Sequence, residues 1–156
     1  MSPKIVFKKI GILGMGRMSI GLAIDLALKG LKIDMIDLKA RPADLRKQYE
    51  IGLRQECEKV IKLLNRETES FQFPAYLDKP AAGVYDLIFE GLPEKIPLKH
   101  DAFAKMSESV GQETLTCSMT STFTVEELSK NIAPPLNIIV THFMNPPYLL
   151  PFLEVV

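Results

Sequence analysis

Two histidines occur in this chain, and one of them, His142, is placed where it can do chemistry. It closes the apolar run Asn137-Ile138-Ile139-Val140-Thr141-His142, and an imidazole there can take or give a proton near neutral pH. Twelve residues on, Glu154 stands in the apolar stretch Phe152-Leu153-Glu154-Val155-Val156. A carboxylate buried in such surroundings needs a partner, and paired with His142 it would fix the ring and stabilise the imidazolium. On residue type alone His142 is equally a histidine satisfied by a backbone group. Ser121, in Cys117-Ser118-Met119-Thr120-Ser121-Thr122, can bind a substrate oxygen or merely shape the turn before Thr124. Glu94 and Lys99 flank Pro97 and read by themselves as an exposed pair at a helix start. His100 reads as solvated.

A second group of residues speaks of phosphate. Ile10-Gly11-Ile12-Leu13-Gly14-Met15-Gly16-Arg17-Met18-Ser19 has the order of a buried strand, a glycine turn and a helix start. Gly14 suits a tight turn, and Gly16 lets a pyrophosphate approach the main chain. The free N–H groups of Arg17, Met18 and Ser19 would then face it. Ser19 stands where a third glycine is usual, and Gly21 follows. Asp37 ends the next strand, 21 residues after Gly16. There it can accept hydrogen bonds from the adenosine ribose hydroxyls, which favours NAD, or it can simply initiate a turn. Lys39 and Arg41 keep NADP open.

The elements that must position these residues alternate. Strands are expected over 9–13, 31–37, 75–77, 85–90, 114–118, 137–143 and 152–156, with helices over 17–29, 42–64 and 97–110 and a short one begun by the capping box Thr124–Glu127. Gly30 is expected to cap the first helix, and Pro134-Pro135 to break the chain. Strands alternating with helices predict an α/β fold, a doubly wound, mostly parallel sheet, whose ligands sit at the carboxyl ends of the strands. Every residue singled out lies at such an end or just after one.

Composition narrows the class. The 156 residues suit one domain, 1–156. Lysine plus arginine and aspartate plus glutamate each number 19, which argues against binding nucleic acid or a membrane surface by gross charge. The two cysteines, Cys57 and Cys117, form neither a disulfide framework nor a metal spacing, so no metal is expected. Residues 1–9 show no signal peptide and no run is long enough to span a bilayer, which places the chain in the cytoplasm or a mitochondrial matrix.

Taken together, GILGMGRMSIGLA, DLIFEGLPEKIPLKHDAF, SMTSTFTVEEL and THFMNPPYLLPFLEVV make the chain resemble the NAD-binding domain of the L-3-hydroxyacyl-CoA dehydrogenase family. The resemblance covers nearly the whole sequence. It implies a Rossmann-type domain that binds NAD and an enzyme that oxidises a 3-hydroxyacyl-CoA, or a related 3-hydroxy acid, to the 3-keto product. It implies that His142 is the base and Glu154 its partner, that Ser121 and Asn145 sit by the substrate hydroxyl and nicotinamide, and that Gly91, Glu94 and Lys99 contact the cofactor. Met119 stands where the family has asparagine. The segment Asn145-Pro146-Pro147-Tyr148-Leu149-Leu150-Pro151 is similar to the branch that oxidises free hydroxy acids, the gulonate and carnitine dehydrogenases. Family members continue into an all-helical domain that completes the substrate site and forms the dimer. That domain is absent from this sequence, so an NAD-binding module inactive without it is the alternative expectation.

Overall fold

Residues 7–67, 71–81 and 85–156 are described by a computed structural model; the expectation of no signal peptide over residues 1–9 falls largely on 1–6, which lie outside the described residues. β1 (Lys9–Leu13) is the strand around which the sheet is built, hydrogen-bonded in parallel to β2 (Lys32–Ile36) on one side and β4 (Leu87–Glu90) on the other. β3 (Ala75–Leu77), β5 (Leu115–Ser118) and β6 (Asn137–Phe143) extend it in parallel, and β7 (Leu153–Val155) closes one edge antiparallel to β6. The strand order is β3-β2-β1-β4-β5-β6-β7. The order reverses between β1 and β4, which is the switch point where such sheets open a crevice.

Alternation along each strand assigns residues to the two faces. Ile10, Ile12, Ile33, Met35, Leu87 and Phe89 pack beneath α1 (Arg17–Leu28) and α2 (Ala43–Leu63). Leu13, Ile36, Ile88 and Val140 pack on the other face with α3 (Ile96–Ser107) and α4 (Val125–Ser129). By the same parity Glu90, Ser118 and His142 belong to the α3 and α4 face. The local signals act as expected. Gly30, at φ +82°, lets the chain leave α1, and the capping box at Thr124 makes both of its bonds. α3 ends at Ser107, three residues short of the expected Val110; Val110 is buried all the same, its N–H bonded to the Met106 carbonyl beyond the last helical turn. No helix among the described residues is long and apolar enough to cross a membrane.

Candidate active site

The glycine turn lies at the switch point. Gly14 has φ +104°, a backbone angle that side chains rarely adopt, and a Cβ there would come 2.9 Å from the Gly91 carbonyl oxygen at the end of β4. The two turns therefore pack backbone to backbone. Gly16 is exposed, and a Cβ on it would meet only that same carbonyl oxygen, at 3.7 Å. It is the N-cap of α1 and provides no side-chain cap, so the first-turn N–H groups of Arg17, Met18 and Ser19 have no hydrogen-bond partner among the described residues. A cradle in which Gly14 and Gly91 leave no room for a side chain, at the positive end of a 12-residue helix, fits a dinucleotide pyrophosphate. Ser19 is fully buried, and its hydroxyl points to the Gly91 carbonyl at 3.4 Å. A Cβ on Gly91 would lie 2.3 Å from that hydroxyl and 2.4 Å from the Met119 Cε. The serine and the methionine, both departures from the family pattern, thus share the space above Gly91. Gly21 is where α1 makes its close approach, with Pro147 Cδ 3.2 Å from the position of a Cβ.

Next to this cradle is a buried polar cluster that the sequence does not announce. Glu90 is completely buried at the end of β4. Its carboxylate accepts two bonds from the Lys99 ammonium, at 2.7 and 2.9 Å, one from the Ser118 hydroxyl at 2.5 Å and one from the Leu92 N–H at 2.6 Å. Lys99 is 1% exposed, not the exposed residue expected at a helix start, because α3 turns it down onto Glu90. The ammonium also reaches Glu94 at 3.2 Å. Glu94, exposed as expected, accepts from the Thr120 hydroxyl and from the Ser121 N–H, the latter at 3.3 Å. Burial pushes the Glu94 carboxyl up, but the Thr120 hydrogen bond and the Lys99 charge outweigh it and hold the group below its ordinary range. The cluster ties the ends of β4 and β5 together and fixes the backbone at Ser121. Glu90 was findable as the one charge ending the apolar run Leu87-Ile88-Phe89.

His142 and Glu154 are register partners across β6 and β7, with Nδ1 3.6 Å from a carboxylate oxygen, an ion-pair separation longer than a hydrogen bond. Glu154 is 59% exposed and His142 38%, so the expected burial of Glu154 does not hold: β7 is an edge strand with no layer over it. The pair and Ser121 line a cavity of about 460 Å³ with Phe123, Val125 and Glu126, and among the described residues no lysine or arginine borders it. Asn145 is exposed and lies outside that lining. His100 is half-buried rather than solvated, its Nε2 2.6 Å from the Glu127 carbonyl oxygen.

Asp37, 5% exposed, is engaged on both oxygens. One accepts from the Lys39 N–H at 3.2 Å, as a turn-initiating aspartate does; the other is paired with the Arg41 guanidinium and accepts from the Tyr76 hydroxyl at 3.2 Å.

A doubly wound sheet with a glycine cradle at its switch point defines a dinucleotide-binding α/β domain. The family described as "3-hydroxyacyl-CoA dehydrogenase, NAD binding domain" matches residues 9–156, and the chain belongs to it. The alpha subunit of the fatty acid oxidation complex of Idiomarina loihiensis is 32% identical over 158 residues, covering 96% of this chain and 21% of that protein. The 5-formyl-3-hydroxy-2-methylpyridine 4-carboxylate 5-dehydrogenase of Mesorhizobium japonicum is 28% identical, covering 97% of this chain and 49% of the other. The fold of 3-hydroxybutyryl-CoA dehydrogenase from Escherichia coli K12 superposes with a TM-score of 0.80 at 20% identity, over 97% of this chain and 32% of that one. The chain thus spans a fifth to a half of the length of these curated relatives.

Proposed function

We propose that NAD lies across the Gly14–Gly91 cradle and that the protein carrying this domain oxidises the secondary alcohol of a 3-hydroxyacyl-CoA to the 3-keto thioester. The observation that carries this reading is the His142–Glu154 pair facing Ser121 across one cavity at the carboxyl end of the sheet. NAD, when bound, supplies the hydride acceptor. His142 turns Nδ1 to Glu154, which leaves Nε2 to take the hydroxyl proton. Glu154 holds the ring and stabilises the imidazolium, and in the reverse direction the protonated ring donates to the ketone oxygen. Ser121, its backbone held by Glu94, orients the substrate oxygen, and Asn145 closes the nicotinamide side. Arg17, Met18 and Ser19 offer main-chain N–H groups to the pyrophosphate, while Gly91, Glu94 and Lys99 shape the nicotinamide end.

The lining without a cation favours a neutral thioester over a carboxylate beside the carbinol. A free hydroxy acid is the second reading, supported by the Mesorhizobium relative, whose name denotes a carboxylate. The openness of the pair, together with Leu149, Leu150, Phe152, Val155 and Val156 at 48–76% exposure, supports a helical segment that covers this face, completes the site and carries any dimer contact. Without it the domain binds NAD and turns nothing over.

NADH formation, followed with 3-hydroxyacyl-CoA and with free hydroxy acids, tests this for the chain alone and for the chain joined to the helical domain of a relative. The expected result is turnover of the thioester by the joined protein. Turnover of free acids alone overturns the substrate, and no turnover of either overturns the reaction.

A further inference from the structure

The carboxyl end of β2 has a charge pattern that NAD does not use. Beyond Asp37 the surface opens into a cavity of about 610 Å³ bordered by Lys39, Arg41, Arg46 and Lys79, with Asp78 its one carboxylate. Four cations against one anion stand out in a chain whose charges balance at 19 of each sign. Asp78 is taken up by Arg46 at 2.6 Å. Lys39 and Lys79 have no carboxylate partner among the described residues.

An acidic residue at this position selects NAD because its charge repels a 2′-phosphate on the adenosine ribose. Here that charge is covered. Both Asp37 oxygens are engaged, Arg41 neutralises the group, and Arg41 is itself held over the Tyr49 ring at 4.2 Å. Tyr49 stacks in turn with Tyr76, the other donor to Asp37, at 6.4 Å between centroids. What borders the cavity beside the ribose position is a half-buried guanidinium fixed by an aromatic platform, with the exposed ammonium groups of Lys39 and Lys79.

We propose that this cavity binds the 2′-phosphate of NADP, so that the domain takes NADP as well as NAD. The proposal rests on the dinucleotide lying with its adenosine ribose at the end of β2. Arg41 offers its remaining N–H groups to the phosphate, and Lys39 and Lys79, which border the same cavity, contribute charge-assisted bonds.

Calorimetric titration of the chain with NAD and with NADP, repeated on the exposed double variant Lys39→Gln/Lys79→Gln, tests it. NADP is expected to bind within about tenfold of NAD. The double variant is expected to weaken NADP at least about tenfold and to leave NAD within about twofold. NAD binding with NADP weaker by more than tenfold, or a double variant that leaves NADP unchanged or weakens both dinucleotides alike, overturns the phosphate site alone. Binding of neither dinucleotide overturns the cofactor placement on which it stands.

Discussion

Replacing Lys99 by methionine isolates the contribution of the buried cluster. The ammonium and the Glu90 carboxylate are 1% and 0% exposed and meet at 2.7 and 2.9 Å. In Lys99→Met the carboxylate keeps only the Ser118 hydroxyl and the Leu92 N–H, and a full charge is stranded without water. Breaking a buried pair from one side costs about 3–5 kcal/mol. The contact from Lys99 to Glu94, whose side chain is 37% exposed, is screened by solvent and adds under about 1 kcal/mol. At about 2–4 °C per kcal/mol for a domain of this size, Tm falls by roughly 6–20 °C. Adding Glu90→Gln to that variant removes the stranded charge; the amide oxygen accepts from the Leu92 N–H, the amide NH2 donates to the Ser118 hydroxyl, which turns to accept, and at least half of the loss returns. Glu90→Gln alone costs less than Lys99→Met, since Lys99 retains Glu94. Thermal unfolding followed by circular dichroism reads all three. A Lys99→Met protein within about 2 °C of the parent, or a double variant less stable than the single, refutes the reasoning.

Gly14→Ala places a Cβ 2.9 Å from the Gly91 carbonyl in a backbone conformation at φ +104°; a loss of about 1–3 kcal/mol in urea unfolding, together with weakened NAD binding by calorimetry, is expected. Glu94 is held below its ordinary 4.5, so its ionisation stabilises the fold above that pH, and this contribution is lost as pH falls through the lowered value. Melting curves from about pH 5 to about pH 3 should therefore fall more steeply for the parent than for Glu94→Gln. Burial pushes both thiols, Cys57 and Cys117, up to about 12; a chromogenic disulfide reagent should label neither in the native chain near pH 8 and both in denaturant.

The sheet was legible because its strands carry continuous apolar runs and its helices a 3.6-residue period. The direction of β7 was not, since residues 152–156 carry no mark that distinguishes an antiparallel edge from one more parallel strand. The glycine cradle and the Thr124 cap could be read from residue types alone, as each is a local backbone device. Lys99 could not: its place beside Pro97 at a helix start suggests an exposed side chain, and only the pairing of β4 under α3 brings Glu90 within its reach. Glu154 is exposed for the opposite reason: apolar neighbours predict burial only where a second layer exists, and β7 has none. The capping of Asp37 by Arg41 depends on Tyr49 and Tyr76, which come from α2 and β3 and meet only in the fold.

The proposed proton transfer depends most directly on His142. In the protein that carries this domain, His142→Gln should lower the turnover of a 3-hydroxyacyl-CoA by about 100-fold or more, with NAD affinity in the same sample unchanged within about twofold. Turnover within about threefold of the parent, with NAD still bound, would contradict the assignment of the proton transfer to this histidine.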